Sequence, residues 1–146
     1  MYEKILIATD GSDASLKASE HGVKLAQSQG ADVLALYVIN EAAISSVISS
    51  AVLHGSSKDY LRVNMKESAK KAVNEVAKIG EAAGVKVDPL VREGDAAGKI
   101  VETAGINGAD VIVIGSHGEG GITSKLIGSI AQKVLIWSEL PVIVVR

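Results

Sequence analysis

The sequence predicts a single α/β domain, residues 1–146, built on one five-stranded parallel sheet that is doubly wound, with helices on both faces and strand order 3-2-1-4-5. Three observations predict it. Short runs rich in Val and Ile, of the kind buried on both faces, alternate along the chain with longer stretches of helical periodicity. Such alternation implies right-handed crossovers between parallel strands. The chain also has no Phe and only 3% aromatic residues, so its core is made of Val, Ile, Leu and Ala, a palette suited to parallel strands packed by Ala-lined helices.

Tyr2 to Ala8 reads as the first strand and runs into Thr9-Asp10-Gly11-Ser12-Asp13, a cluster of turn and capping residues. A helix follows to Gln29, with Asp13 as its cap, Leu16, Val23 and Ala26 on its inner face and Gly30 just past its end. Asp32 to Val38 is the second strand. In residues 39–59, Ile44, Val47, Ile48, Ala51 and Val52 have helical spacing. The Ser pairs at 45–46, 49–50 and 56–57 nevertheless favour a mobile surface loop with a helical turn or two. Tyr60 to Ala83 is the clearest helix, with Leu61, Met65, Ala69, Ala72, Val76, Ile79 and Ala83 at spacings of three and four and Gly84 ending it.

Lys86 to Val91 is the third strand. Gly94-Asp95 then caps a helix from Ala96 to about Ile106, whose inner face is Ala97, Ile100, Val101 and Ala104, and Gly108 closes it. Val111 to Ile114, the fourth strand, stops at Gly115. A loop with Gly118, Gly120 and Gly121 continues through Thr123 and Ser124 to Gly128-Ser129, where a helix carrying Ile130, Val134 and Trp137 begins. Pro141 to Val145 is the fifth strand.

Composition narrows the function. A formal net charge of −2 leaves no electrostatic footprint for nucleic acid or an anionic membrane. The absence of cysteine removes disulfides, thiolate zinc sites and a cysteine nucleophile, and fits a cytoplasmic protein. No apolar run approaches membrane-spanning length, and the opening MYEKILIATD lacks the shape of a signal peptide.

In an open parallel sheet, ligands bind past the carboxyl ends of the strands where the winding reverses. Order 2-1-3-4-5 would put that crevice at Asp10 and residues 92–95. Order 3-2-1-4-5 would put it at Asp10 and residues 115–129, which joins the two most unusual loops, and is preferred. Glycines past a buried strand leave amide N–H groups unscreened, and at a helix start these suit a phosphate. The common nucleotide motifs are absent. A P-loop would need Lys where Gly121 stands, and the stretch from Gly118 follows the fourth strand rather than the first and lacks the last Gly of a dinucleotide fingerprint.

The spacing Gly115-x2-Gly118-x9-Gly128-Ser129 resembles the phosphate-binding pattern of the universal stress protein family, in the subgroup that binds ATP. Ala8-Thr9-Asp10-Gly11-Ser12, Ala35-Leu36-Tyr37-Val38 and the ending Pro141 to Arg146 resemble the same family, so the likeness runs through the whole chain in order. It implies a Rossmann-like domain in which Ala8, Thr9 and Asp10 line the nucleotide, with Asp10 and Val38 at the adenine. Ile114, Gly115 and Gly118 would hold ribose and phosphates. Gly128, Ser129 and Ile130 would offer amides, and Ser129 its hydroxyl, to the phosphates. Mg²⁺ or Mn²⁺ would ride on those phosphates. The family also implies a homodimer through the last strand, Pro141 to Val145. Two positions depart from the pattern: Glu119, where a basic or small residue is frequent, and Gln132, where an acid is.

Plainer readings stand beside these. Asp10 alone would be a turn residue. His117 reads first as a solvated loop residue, then as a backbone phosphate contact, and last as a catalytic group. His21 and His54 are too isolated for a metal site. Three functions remain. One is an ATP-binding sensor or switch in stress response, acting on an unknown protein partner. Another is a phosphate-transferring enzyme or ATP hydrolase, for which no general base, Walker lysine or arginine finger is found, so that hydrolysis would be slow or partner-dependent. The third is a nucleotide-free interaction module. The residues do not choose among ATP, ADP and AMP.

Overall fold

A single strand shows how the layers arise. Ile5 and Ile7 pack with Ala18, Val23, Val73 and Val76, while Leu6 and Ala8, pointing the other way, pack with Ala97, Ile100, Ala131 and Val134. Side chains of a strand alternate faces, so an apolar run of this kind must be covered on both. The computed structural model describes residues 1–55, 58–117 and 126–146. Its elements are β1 (Lys4–Ala8), α1 (Asp13–Gln29), β2 (Asp32–Asn40), α2 (Glu41–Leu53), α3 (Lys58–Ala82), β3 (Val87–Gly94), α4 (Ala96–Ile106), β4 (Val111–Gly115), α5 (Ser129–Trp137) and β5 (Val142–Val145). The strands form one parallel sheet in the order β3-β2-β1-β4-β5. Helices α1 and α3 cover one face, and α4 and α5 cover the other.

Four expectations are corrected. The cap of α1 is Ser12, whose Oγ accepts from Ser15 N–H; Asp13 is the first helical residue, where a carboxylate favours the helix dipole. Leu16 is 40% exposed, because α1 meets the sheet along Ser15, Ala18, Ser19, Gly22, Val23 and Ala26. That seam is mostly of small residues and lets helix and sheet approach closely. The loop expected after the second strand is instead the helix α2, anchored by Ile44 and Ile48 on Ile39, Met65 and Ala69, with its serines on the outside. Tertiary anchoring outweighs the poor helix propensity of serine here. Finally, β2 and β3 continue to the pair Asn40↔Gly94, past the expected ends at Val38 and Val91. Pro89 lies in β3, an edge strand, where a missing N–H is tolerated.

A carboxylate helps to pin the chain start. Asp110 accepts hydrogen bonds from the N–H groups of Glu3 at 2.7 Å and Lys4 at 2.9 Å, and these two bonds hold its carboxyl below the usual carboxylate range. A lowered folded-state pKa gives stability that is present above the unfolded value and is lost as pH falls through the folded one. Asp110→Asn is therefore expected to lower the melting temperature at neutral pH and to flatten its fall below about pH 4. Parallel acid melting curves for the two proteins would refute the assignment.

Candidate functional site

Strands β1 and β4 pair only from Ile5↔Val111 to Ile7↔Val113, and past that point they part. Thr9 N–H donates to Leu36 O at 2.9 Å, following β2, whereas Ser116 N–H donates to Val145 O at 2.8 Å, following β5. The winding reverses at this place, so a crevice opens at the carboxyl edge between the two strands. A Cβ at Gly115 would lie 3.1 Å from the carbonyl carbon and oxygen of Ala14, so the end of β4 is packed closely on the first turn of α1 and a side chain there would push the backbone aside.

The wall on the β1 side is a hydroxyl network. Thr9 is buried, its Oγ1 lies 3.1 Å from Ser15 Oγ, and it accepts from Gly11 N–H at 3.2 Å. Half-buried Asp10 accepts from Ser12 N–H at 3.0 Å, the Asx turn that the plain reading of this residue expects. On the other side, Gly128 N–H donates to Ser116 O. Gly128 is extended, with φ −63° and ψ 158°, and caps α5 without a side-chain hydrogen bond. A Cβ on it would meet His117 Cα at 3.2 Å and Ser116 O at 3.3 Å. Ser129, the first residue of α5, is exposed.

The crevice thus brings together Ala8, Thr9, Asp10, Ile114, Gly115 and Gly128-Ser129. Val38 stands on the same edge in β2, two residues beyond Leu36, and its neighbour across the sheet is Arg92. His117 is half-buried, with Nδ1 3.0 Å from Ser116 Oγ, and Ile130 lies 39% exposed in the first turn of α5. Gly118, Glu119, Gly120, Gly121, Thr123 and Ser124 lie outside the described residues. The hydroxyls of Ser15 and Ser116 were not anticipated. A serine on the inner seam of α1 and one directly after a buried strand were the available signals.

A second feature was also missed. A groove of about 530 Å³ starts at Asp10 and Gly11, runs over Tyr37 and Ile39, and follows one face of α3 under Val47 of α2. Among the described residues no group of three His, Cys, Asp or Glu could hold a metal ion, and no helix is long and apolar enough to cross a membrane.

Comparison with known proteins agrees with this architecture. The family model described as the universal stress protein family matches residues 1–146. Universal stress protein MJ0531 of Methanocaldococcus jannaschii is 36% identical over 146 residues, covering 100% of this chain and 83% of the relative. The solved structure of MJ0577 from the same organism has 32% identity and a TM-score of 0.83, covering 99% of this chain and 96% of that one. A structure of the universal stress protein from Archaeoglobus fulgidus in complex with dAMP, at 21% identity, shares the fold with a TM-score of 0.73 and covers 99% of this chain and 98% of that one. With a family match from end to end and a relative 36% identical along the whole chain, the chain belongs to the universal stress protein family.

Proposed function

We propose that this chain binds an adenine nucleotide, ATP in the first place, in the crevice between β1 and β4, and serves in the cytoplasm as a nucleotide-dependent switch in stress response. The observation that carries this reading is the start of α5. Its first amides have no partner within the helix, its cap carries no side chain to satisfy them, and a Cβ on that cap would press on the backbone of Ser116 and His117. A phosphate would complete these groups. The amides of Ser129 and Ile130 and the Ser129 hydroxyl are assigned to the phosphates, with His117 beside them; the Gly128 amide, which donates to Ser116 O, would have to leave that carbonyl to join them. Ile114, Gly115 and Gly118 are assigned to the ribose and phosphates. Asp10 and Val38 take the adenine, and Ala8 and Thr9 complete the wall. Mg²⁺ or Mn²⁺ would be carried on the phosphates. The dAMP complex of the Archaeoglobus protein supports an adenine nucleotide as the class of ligand.

The sheet edge supports a homodimer. The half-buried β5 is the outer strand, and a second copy pairing along Pro141 to Val145 would cover it. Sedimentation as a monomer at micromolar concentration would remove this part of the proposal.

The test is mass spectrometry of small molecules released from the purified protein, with melting curves in ATP, ADP and AMP. ATP at a hundredfold excess over its Kd is expected to stabilise the fold by about 2.7 kcal/mol. Absence of both bound nucleotide and any shift would instead favour a nucleotide-free interaction module.

A further inference from the structure

We propose that Ser116 is a positioning residue for the nucleotide: its hydroxyl holds the ring of His117 with the proton on Nε2, so that this side chain adds a hydrogen-bond donor to the phosphates. The proposal rests on the nucleotide reading above and deepens it. Ser116 directly follows β4 and is 1% exposed. Its backbone is held on both sides, since its N–H donates to Val145 O at 2.8 Å and its C=O accepts from Gly128 N–H. The side chain therefore starts from a fixed point, and its Oγ lies 3.0 Å from His117 Nδ1.

Burial decides which atom donates. A neutral imidazole carries one N–H and one acceptor nitrogen, whereas a hydroxyl has a single hydrogen to give. Among the described residues the Ser116 hydroxyl has no other hydrogen-bond partner than Nδ1. A buried donor left without an acceptor costs more than an ordinary hydrogen bond returns. The hydroxyl accordingly donates to Nδ1, and the ring proton lies on Nε2. The two nitrogens face opposite sides of the ring, so Nε2 is turned away from the buried serine. A Cβ on Gly128 would stand 3.2 Å from His117 Cα and 3.8 Å from its Cβ. Half-buried His117 thus rises beside the start of α5, where the amides of Ser129 and Ile130 open. There the place of the proton sets the sign of the interaction. Nε2–H attracts a phosphate oxygen, while the other tautomer would turn a lone pair toward it and repel it. One residue aligns both parts of the cradle, its carbonyl the cap of α5 and its hydroxyl the imidazole.

The test is calorimetric titration of the full chain with ATP at mildly alkaline pH. His117→Gln keeps an N–H near the place of Nε2, and His117→Asn keeps one near the place of Nδ1. The Gln variant is expected to bind ATP within about threefold of the parent, and the Asn variant at least about tenfold more weakly, the loss of a hydrogen bond to a charged group. Ser116→Ala is expected to cost about tenfold in the parent and nothing further in a His117→Ala background, a dependence that a purely structural role would not produce. Nitrogen-15 spectra of the unliganded parent should show the His117 ring protonated at Nε2 and not at Nδ1. The Gln and Asn pair decides the matter even where Ser116→Ala does not fold. Equal affinities of that pair, equal losses from Ser116→Ala in both backgrounds, or a ring protonated at Nδ1 would overturn the proposal and leave the nucleotide reading in place. A parent that binds no ATP would overturn both.

Discussion

Replacing Ser129 with proline is expected to abolish nucleotide-dependent thermal stabilisation while leaving the unliganded fold nearly as stable as before. Proline is accepted at the first helical position, because its fixed φ suits a helix start and the N–H it lacks has no partner within the helix. The preceding residue is compatible too. Gly128 holds φ −63° and ψ 158°, the extended conformation that a following proline requires. The substitution therefore removes two of the proposed phosphate donors, the Ser129 amide and hydroxyl, and little else. Hydrogen bonds to a charged group are each worth about 1.5–3 kcal/mol, so losing two should weaken binding at least about a hundredfold. At a ligand concentration that stabilises the parent by about 2.7 kcal/mol, the variant should then gain less than about 0.5 kcal/mol. Scanning calorimetry with and without ATP measures both quantities. A proline variant that keeps the parent's ATP response would mean that the phosphates sit elsewhere.

Gly80→Val is expected to be the most damaging substitution to the fold, costing about 3 kcal/mol, the upper end for overpacking a filled interface. Gly80 is the point where α3 crosses β3. A Cβ there would overlap a Val87 methyl and lie 3.0 Å from Val85 O, while Gly80 O already accepts from Val85 N–H at 2.8 Å. The methyl could move aside, but the carbonyl belongs to the turn that leads into the strand and cannot. For a chain of this length the loss corresponds to a melting point lower by roughly 10 °C. Gly105 in α4 is the internal control, since a Cβ there meets nothing within 4 Å. Gly105→Ala should gain about 0.5–1 kcal/mol from helix propensity alone. Urea titrations of both variants decide the matter, and a Gly80→Val protein as stable as the parent would show that α3 can shift away from the sheet at no cost.

What could be read from the sequence was set by how strongly each residue's environment restricts its type. The strands were legible because runs such as Val111 to Ile114 are covered on both faces and admit little besides Val and Ile. The strand order followed from pairing the two turns with the strangest composition, and the family resemblance led to the same edge. The seam of α1 was not legible as hydrophobicity, because Ser15, Ser19 and Gly22 are chosen for size and Leu16 is left outside. Nor was α2, whose alternating serines resemble a loop until Ile39, Met65 and Ala69 supply a surface to hold Ile44 and Ile48. At the crevice, Thr9, Asp10, Gly115 and Gly128 could be named in advance. The bonds joining Thr9 to Ser15 and Gly128 to Ser116 could not, since they depend on a helix and a strand end brought together only by folding.

The two borders of the sheet are chemically unequal. Along β3 the exposed Asp88, Pro89, Arg92 and Glu93 break any continuous row of donors and place charge beside it. The outer border of β5 is Val142-Ile143-Val144-Val145, which carries neither charge nor proline. One border invites an added strand and the other refuses it. Were two copies to join through their receptive borders, only refusing ones would face outward, and growth by strand addition would stop at that step. A filament would need the β3 border disarmed first, which Pro89, fixed within the sheet, prevents.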